Sequence, residues 1–314
     1  MQYAIFSYRE GLDGRVALSE AEYRGLLQDY AMLTEALMLE ERFDILLGNY
    51  LEFESEIVDL AMQHSIRFHT ADEEMPEHRR ILVRRVLNLL NACFFYLDQL
   101  WHGLSGMFGS SSVIAQSAKQ SCAAHYDSSF GYRLMESVRN SFQHYSMPIQ
   151  MLAVNHQRTE IGAAGQFACT VTPKLSRDAL LGDPKLKEAL KSELRTQPEH
   201  MDIKPLIREY VEALAELHDL VRKEASGHVK GWDESVDGIF NRYARTHDLP
   251  PGEEPMQLEL VELDAPPTVC IRARKAVTLR IVELRKALER RNSHLQNLAR
   301  RYATNQPSED IPSP

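Results

Sequence analysis

Between residues 78 and 105 the chain carries Ile81, Val83, Val86, Leu87, Leu89, Leu90, Cys93, Phe94, Phe95, Leu97, Leu100 and Trp101, with no proline or glycine before Gly103. A helix over this stretch is apolar around most of its circumference, so other elements must cover it on nearly every side. That requirement selects a helical bundle with this segment near its centre. The neighbouring sequence supplies the partners. Ser19-Glu20-Ala21-Glu22 has the capping-box pattern. From there the spacing predicts a helix to about Gly48 and a second over residues 51–64. Residues 65–77 are polar, contain Pro76 and read as a loop. Gly103, Gly106 and Gly109-Ser110-Ser111-Ser112 end the apolar helix. A shorter helix follows over 112–122, and another runs from Phe130 to Ser146.

The pattern then changes. Residues 149–156 and 166–172 are rich in β-formers and flank Gly162 and Gly165, which predicts a hairpin. Asp183-Pro184 reads as an N-cap with proline in the first turn of a helix to about Leu194. Asp202 caps another, with Leu206, Ile207, Tyr210, Val211, Leu214, Leu217 and Val221 as its apolar stripe and Gly227 as its stop. A further helix is expected over 232–247. Pro250-Pro251-Gly252 reads as a linker, residues 257–262 and 268–273 as a second small hairpin, and 275–302 as a final packing helix. The polar, Pro-rich stretch from Thr304 is expected to lack structure. The division that results is a helical bundle over 1–148, a hairpin with a helical extension over 149–249, a small hairpin and long helix over 250–303, and a tail over 304–314.

Composition narrows the function classes. The 314 residues are 44% hydrophobic and 26% charged, with a net charge of −9. Such a balance argues against nonspecific coating of nucleic acid, which needs many basic contacts, but leaves room for a small basic cleft. No apolar run reaches the roughly 20 residues needed to span a bilayer, and the N-terminal residues show no signal-peptide pattern. Cys93, Cys122, Cys169 and Cys270 are scattered without a Cys-x-x-Cys. The expectation is a reduced, cytoplasmic protein with no membrane anchor. No His/Cys/Asp/Glu set has metal-ligand spacing and there is no glycine-rich phosphate loop, so neither a metal nor another cofactor is expected.

The stretch that carries chemistry is Arg139-Asn140-Ser141-Phe142-Gln143-His144, followed by Pro148. An arginine and a histidine at close quarters bind a phosphodiester and move protons on and off it. Arg-x4-His also occurs at Arg195–His200 and Arg242–His247. The first contains Pro198, which breaks a helix. The second sits in a charged segment before Pro250, and both read as solvated surface. At 139–144, Asn140 and His144 are four apart and share a helix face, so the amide can fix the imidazole tautomer. Arg139 is offset from His144 by about 140° and reaches the same phosphate only through its long side chain. Pro148 ends the helix, which leaves His144 in the last turn, where the helix dipole favours the imidazolium.

Residues 130–149, Phe-Gly-Tyr-Arg-Leu-Met-Glu-Ser-Val-Arg-Asn-Ser-Phe-Gln-His-Tyr-Ser-Met-Pro-Ile, resemble the motif helix of the HEPN family (higher eukaryotes and prokaryotes nucleotide-binding). Residues 87–98, with Asn91 and Asp98 on one face, resemble that family's long preceding helix. The resemblance covers about residues 20–150. It implies a mainly α fold, a HEPN-like antiparallel bundle to which the small β-hairpin and the helical C-terminal part are additions. It also implies a metal-independent endoribonuclease in which Arg139 stabilises the phosphate charge, His144 is general acid or base and Asn140 orients the site. Asn91 and Asp98 support the site from within, while Tyr132, Gln143 and Tyr145 bind substrate, the tyrosines by stacking on bases. Cleavage by 2′-OH attack wants both an acid and a base, and one chain supplies one such histidine. A C2 homodimer supplies two, and the family dimerises in this way. A prokaryotic defence, stress or toxin role follows, with an antitoxin or a nucleotidyltransferase as partner.

Plainer readings stand beside these. Arg139 and His144 pair with acidic neighbours such as Glu136, Asn91 and Asp98 are buried polar ties between helices, and Tyr132 and Tyr145 are core aromatics. The rival functional reading is a non-catalytic module that binds nucleotide or RNA or scaffolds a partner.

Overall fold

A computed structural model describes residues 1–67, 71–142, 149–158, 167–264, 270–301 and 303. In chain order its elements are β1 (Gln2–Phe6), β2 (Val16–Leu18), α1 (Glu20–Arg67), α2 (Ala71–Phe108), α3 (Val113–Ser128), α4 (Phe130–Phe142), β3 (Met151–Arg158), β4 (Phe167–Ser176), α5 (Arg177–Leu181), α6 (Glu188–Arg195), β5 (His200–Asp202), α7 (Ile203–Thr246), β6 (Gln257–Leu263), β7 (Ile271–Thr278) and α8 (Arg280–Arg291). The fold is mainly helical with two small antiparallel sheets, and no described helix is long and apolar enough to cross a membrane.

The expected capping box forms. Ser19 Oγ accepts the Glu22 N–H at 3.2 Å, and the Glu22 carboxylate takes the Ser19 N–H at 2.7 Å. From that cap α1 runs straight through Gly48, where a break is expected from sequence. A glycine inside a helix costs about 1 kcal/mol relative to alanine. The buried Phe43, Leu46, Leu47, Tyr50 and Phe53 on either side of it outweigh that. The same holds for α7, which passes Gly227 and Gly231 as one helix between the buried Val221, Ala225 and Val236. Asp183-Pro184 does not start a helix. The buried Asp183 carboxylate instead takes the Lys185 N–H at 2.8 Å in a turn, and α6 begins at Glu188. Asp202 does cap α7, its carboxylate accepting the Lys204 N–H at 3.0 Å.

The chain forms two compact units. The first comprises Met1–Asp44, Gln99–Gln116 and Leu220–Ser293. Its four-stranded sheet has the order β2-β1-β6-β7, with Ala4 opposite Val261 and Val261 opposite Arg274. One sheet face (Ile5, Leu258, Leu260, Val277) packs on Tyr23, Leu26, Tyr30 and Leu33 of α1, Phe240 and Tyr243 of α7, and Ile281 and Val282 of α8. The β6–β7 pair is the second expected hairpin. β7 extends to Thr278, so the last helix starts five residues later than its pattern suggests and ends at Arg291. Within this unit the buried Glu40 of α1 is clamped by Arg222 of α7, whose Nη1 also donates to the Asn292 carbonyl at 2.9 Å.

The second unit comprises Ile45–Asp98, Ser117–Asp219 and His294–Pro314. Here β3 and β4 form the first expected hairpin, with Val154 opposite Val171, and β5 adds a short third strand. Arg208 of α7 grips Glu54 of α1 through two contacts of 2.7 Å, and the Tyr96 hydroxyl of α2 meets His218 Nδ1 of α7 at 2.9 Å in a fully buried pair. At Gly131 the backbone of α4 lies so close to α7 that an added Cβ would stand 3.1 Å from the Leu206 carbonyl oxygen, which explains glycine at that position.

Where α1 ends and α2 begins, the buried His64 and His78 share a hydrogen bond of 3.2 Å, their rings edge to face. Glu74 lies 4.0 Å from His78, and His156 of β3 also faces His64. Burial first, then His78 and His156, push the His64 imidazole below the ordinary histidine value of 6.5. The unfolded chain therefore protonates before the folded one as pH falls. Stability is full above about 6.5 and declines as pH drops from there toward the depressed folded value, with a limiting slope of about 1.4 kcal/mol per pH unit for each proton withheld. Urea unfolding across pH 5–8 measures it. The His64→Gln variant is expected to flatten that decline, and equal slopes in the two proteins would refute the assignment.

Candidate functional site

The site is built on α4 and the exposed side of α2. Ser129 starts α4, its hydroxyl accepting the Tyr132 N–H at 3.0 Å and donating to Glu209 of α7 at the same distance. Buried Leu134, Met135 and Val138 fix the inner face, which places Arg139 half-buried and Asn140 exposed at the C-terminal end. Gln143, His144 and Tyr145 lie outside the described residues.

The guanidinium of Arg139 lies 3.5 Å above the centre of the Phe94 ring of α2, and its Nη1 donates to the Asn140 side-chain oxygen at 3.0 Å. Its Nε is buried without a hydrogen-bond partner among the described residues. A cation is thus held by an aromatic face on one side and an amide on another. The Asn140 amide oxygen thus serves Arg139, while its expected partner His144 lies outside the described residues.

Three expected site residues are placed differently by the fold. Tyr132 is 1% exposed. Its hydroxyl meets Cys122 Sγ at 3.1 Å, its ring packs edge-on against Tyr210 at 5.0 Å, and burial drives its phenol pKa far up. It is a core residue with no face open to a base. Asn91 and Asp98 share a face as expected, but that face points outward, because Leu89, Leu90, Cys93, Tyr96 and Leu97 take the buried side of α2.

The same geometry brings in residues the motif alone does not name. Phe94 and Phe95 are 46% and 45% exposed, although most apolar residues of their helix are buried. The polar Arg84, Asn88, Asn91 and Asp98, which mark the same outward side at helical spacing, were the available signal. Glu136, one turn before Arg139, is partly buried, and desolvation raises its carboxyl pKa, partly offset by a hydrogen bond from Tyr132. The four cysteines are free, with Cys93 fully buried. Among the described residues no three His, Cys, Asp or Glu side chains are grouped to hold a metal ion. Set against models of known protein families, curated proteins and solved structures, the chain matches none.

Proposed function

We propose that the chain is a metal-independent endoribonuclease of HEPN type that works as a homodimer. The observation that carries the reading is the Arg139 guanidinium, held on Phe94 and Asn140 at the end of α4. A fixed guanidinium is the group that charge build-up on a phosphate requires. In this reading Arg139 stabilises the pentacoordinate phosphate, Asn140 orients Arg139, and His144 transfers the proton. The ribose 2′-OH attacks the adjacent phosphorus, the bond to the 5′ oxygen breaks, and the products are a 2′,3′-cyclic phosphate and a 5′-OH. A symmetry-related second His144 serves as the other proton-transfer group. The net charge of −9 leaves room for one local basic cleft only, and the reading places the protein in a prokaryotic defence or stress role with an antitoxin or nucleotidyltransferase as partner.

The test is cleavage of labelled single-stranded RNA in the presence of EDTA, with end-group analysis of the products. The wild type is expected to leave cyclic phosphate ends and His144→Ala none. Undiminished cleavage by His144→Ala removes the mechanism, and a monomer in sedimentation at micromolar concentration removes the dimer. The rival reading, a non-catalytic RNA- or nucleotide-binding module, draws on the same guanidinium, which Phe94 and Asn140 hold ready for an anion. It is the outcome if RNA binds and stays intact.

A further inference from the structure

The exposed side of α2 reads Arg84, Asn88, Asn91, Phe94, Phe95. Steps of three and four residues keep these positions on one side of a helix, and the span from Arg84 to Phe94 is about 15 Å. Most apolar residues of α2 are buried, so two adjacent, half-exposed phenylalanines stand out. Burying such a ring contributes about 1.5–3 kcal/mol, which the fold forgoes twice in succession. Single exposed apolar residues are commonplace, but this pair adjoins the Arg139 guanidinium, 3.5 Å from one of the rings.

We propose that Phe94 and Phe95 form a base-stacking subsite for single-stranded RNA, next to the phosphate held by Arg139, with the strand continuing along Asn91 and Asn88 toward Arg84. The proposal rests on the reading of Arg139 as the phosphate-binding group. A cation, two amides and two aromatic rings in line are the chemistry that grips a single strand. The cation takes phosphate, the amides take base edges, and rings take base faces whatever their sequence. The guanidinium covers one face of the Phe94 ring, so a base meets that ring on its open side, next to Phe95, with the phosphate-binding cation adjoining it. A protein partner is the less favoured occupant. The exposed apolar area is two rings bounded by Asn91 and Asp98, whereas the core of a protein interface is continuous and depleted in polar groups.

The experiment is fluorescence anisotropy of a labelled single-stranded oligoadenosine and of an abasic strand with the same phosphates, in the His144→Ala background so that the probe stays intact. The normal strand is expected to bind more tightly than the abasic one. Phe95→Leu is expected to weaken the normal strand by about tenfold or more and to leave the abasic strand unchanged, and Phe94→Leu, which also removes a support of Arg139, to weaken the normal strand more than the abasic one. Phe94→Tyr should restore most of the loss, which a purely structural role would not predict. Arg139→Ala should weaken both strands alike. If the leucine variants bind the normal strand as tightly as their parent while Arg139→Ala does not, stacking is overturned and the phosphate reading stands. If Arg139→Ala is silent, or no RNA binds, the phosphate reading fails and takes the proposal with it. If the leucine substitutions turn a dimer into a monomer, the face belongs to a protein interface and the proposal is overturned.

Discussion

Replacing Arg139 with alanine is expected to lower the proposed EDTA-resistant RNA cleavage by about 10²–10³-fold, the usual effect of deleting one fixed donor to a developing negative charge. The fold itself loses about 1–2 kcal/mol, the contribution of a cation–π contact at a half-buried site. Lysine recovers little, because its compact ammonium offers neither the planar fork that meets two phosphate oxygens nor the flat surface that lies on Phe94. Single-turnover cleavage of a labelled RNA, run beside thermal unfolding, separates the two effects. Arg139→Ala cleaving at the wild-type rate would end the catalytic assignment, and a collapse of stability would make Arg139 a structural residue.

The largest effect on stability is expected at Arg222. Its guanidinium meets both carboxylate oxygens of Glu40, which is 3% exposed, and donates to the Asn292 carbonyl. Arg222→Met strips that guanidinium from a buried carboxylate, and breaking such a pair costs about 3–5 kcal/mol. Adding Glu40→Leu removes the stranded charge, so the double variant should regain most of the loss. Urea unfolding of both proteins gives the two numbers. A single variant within about 1 kcal/mol of wild type would show that the pair is solvated and contributes little.

What could be read from the chain was whatever depends on near neighbours. The capping box at Ser19–Glu22, the cap at Asp202, and the β3–β4 and β6–β7 hairpins are set within a few residues, and their patterns announce them. What escaped depends on distant partners. β1 has its place because Ala4 meets Val261 from the far end of the chain, and three residues of β2 are too few for an alternation to register. Gly48 and Gly227 looked like stops because a local penalty is visible in sequence, whereas the burial on either side that overrides it is not. In the site, the arginine and asparagine of the motif stand where the helix pattern put them. Tyr132 went inward and Asn91 outward because the rotational setting of α2 and α4 is chosen by packing, which a helix apolar on most sides leaves undetermined. Phe94 and Phe95 were legible as apolar residues, and as exposed ones only through the polar Asn88, Asn91 and Asp98 on their side.

The interleaving of the two units has a practical corollary. Each draws on three separate stretches of chain, and α1, α2, α3 and α7 each contribute to both. No single cut, whether by a protease or at a gene boundary, can release either one whole. A fragment ending near residue 148 would leave behind β6 and α8, on which the first unit's sheet closes. Dissection of this protein is therefore better done by point substitution than by truncation.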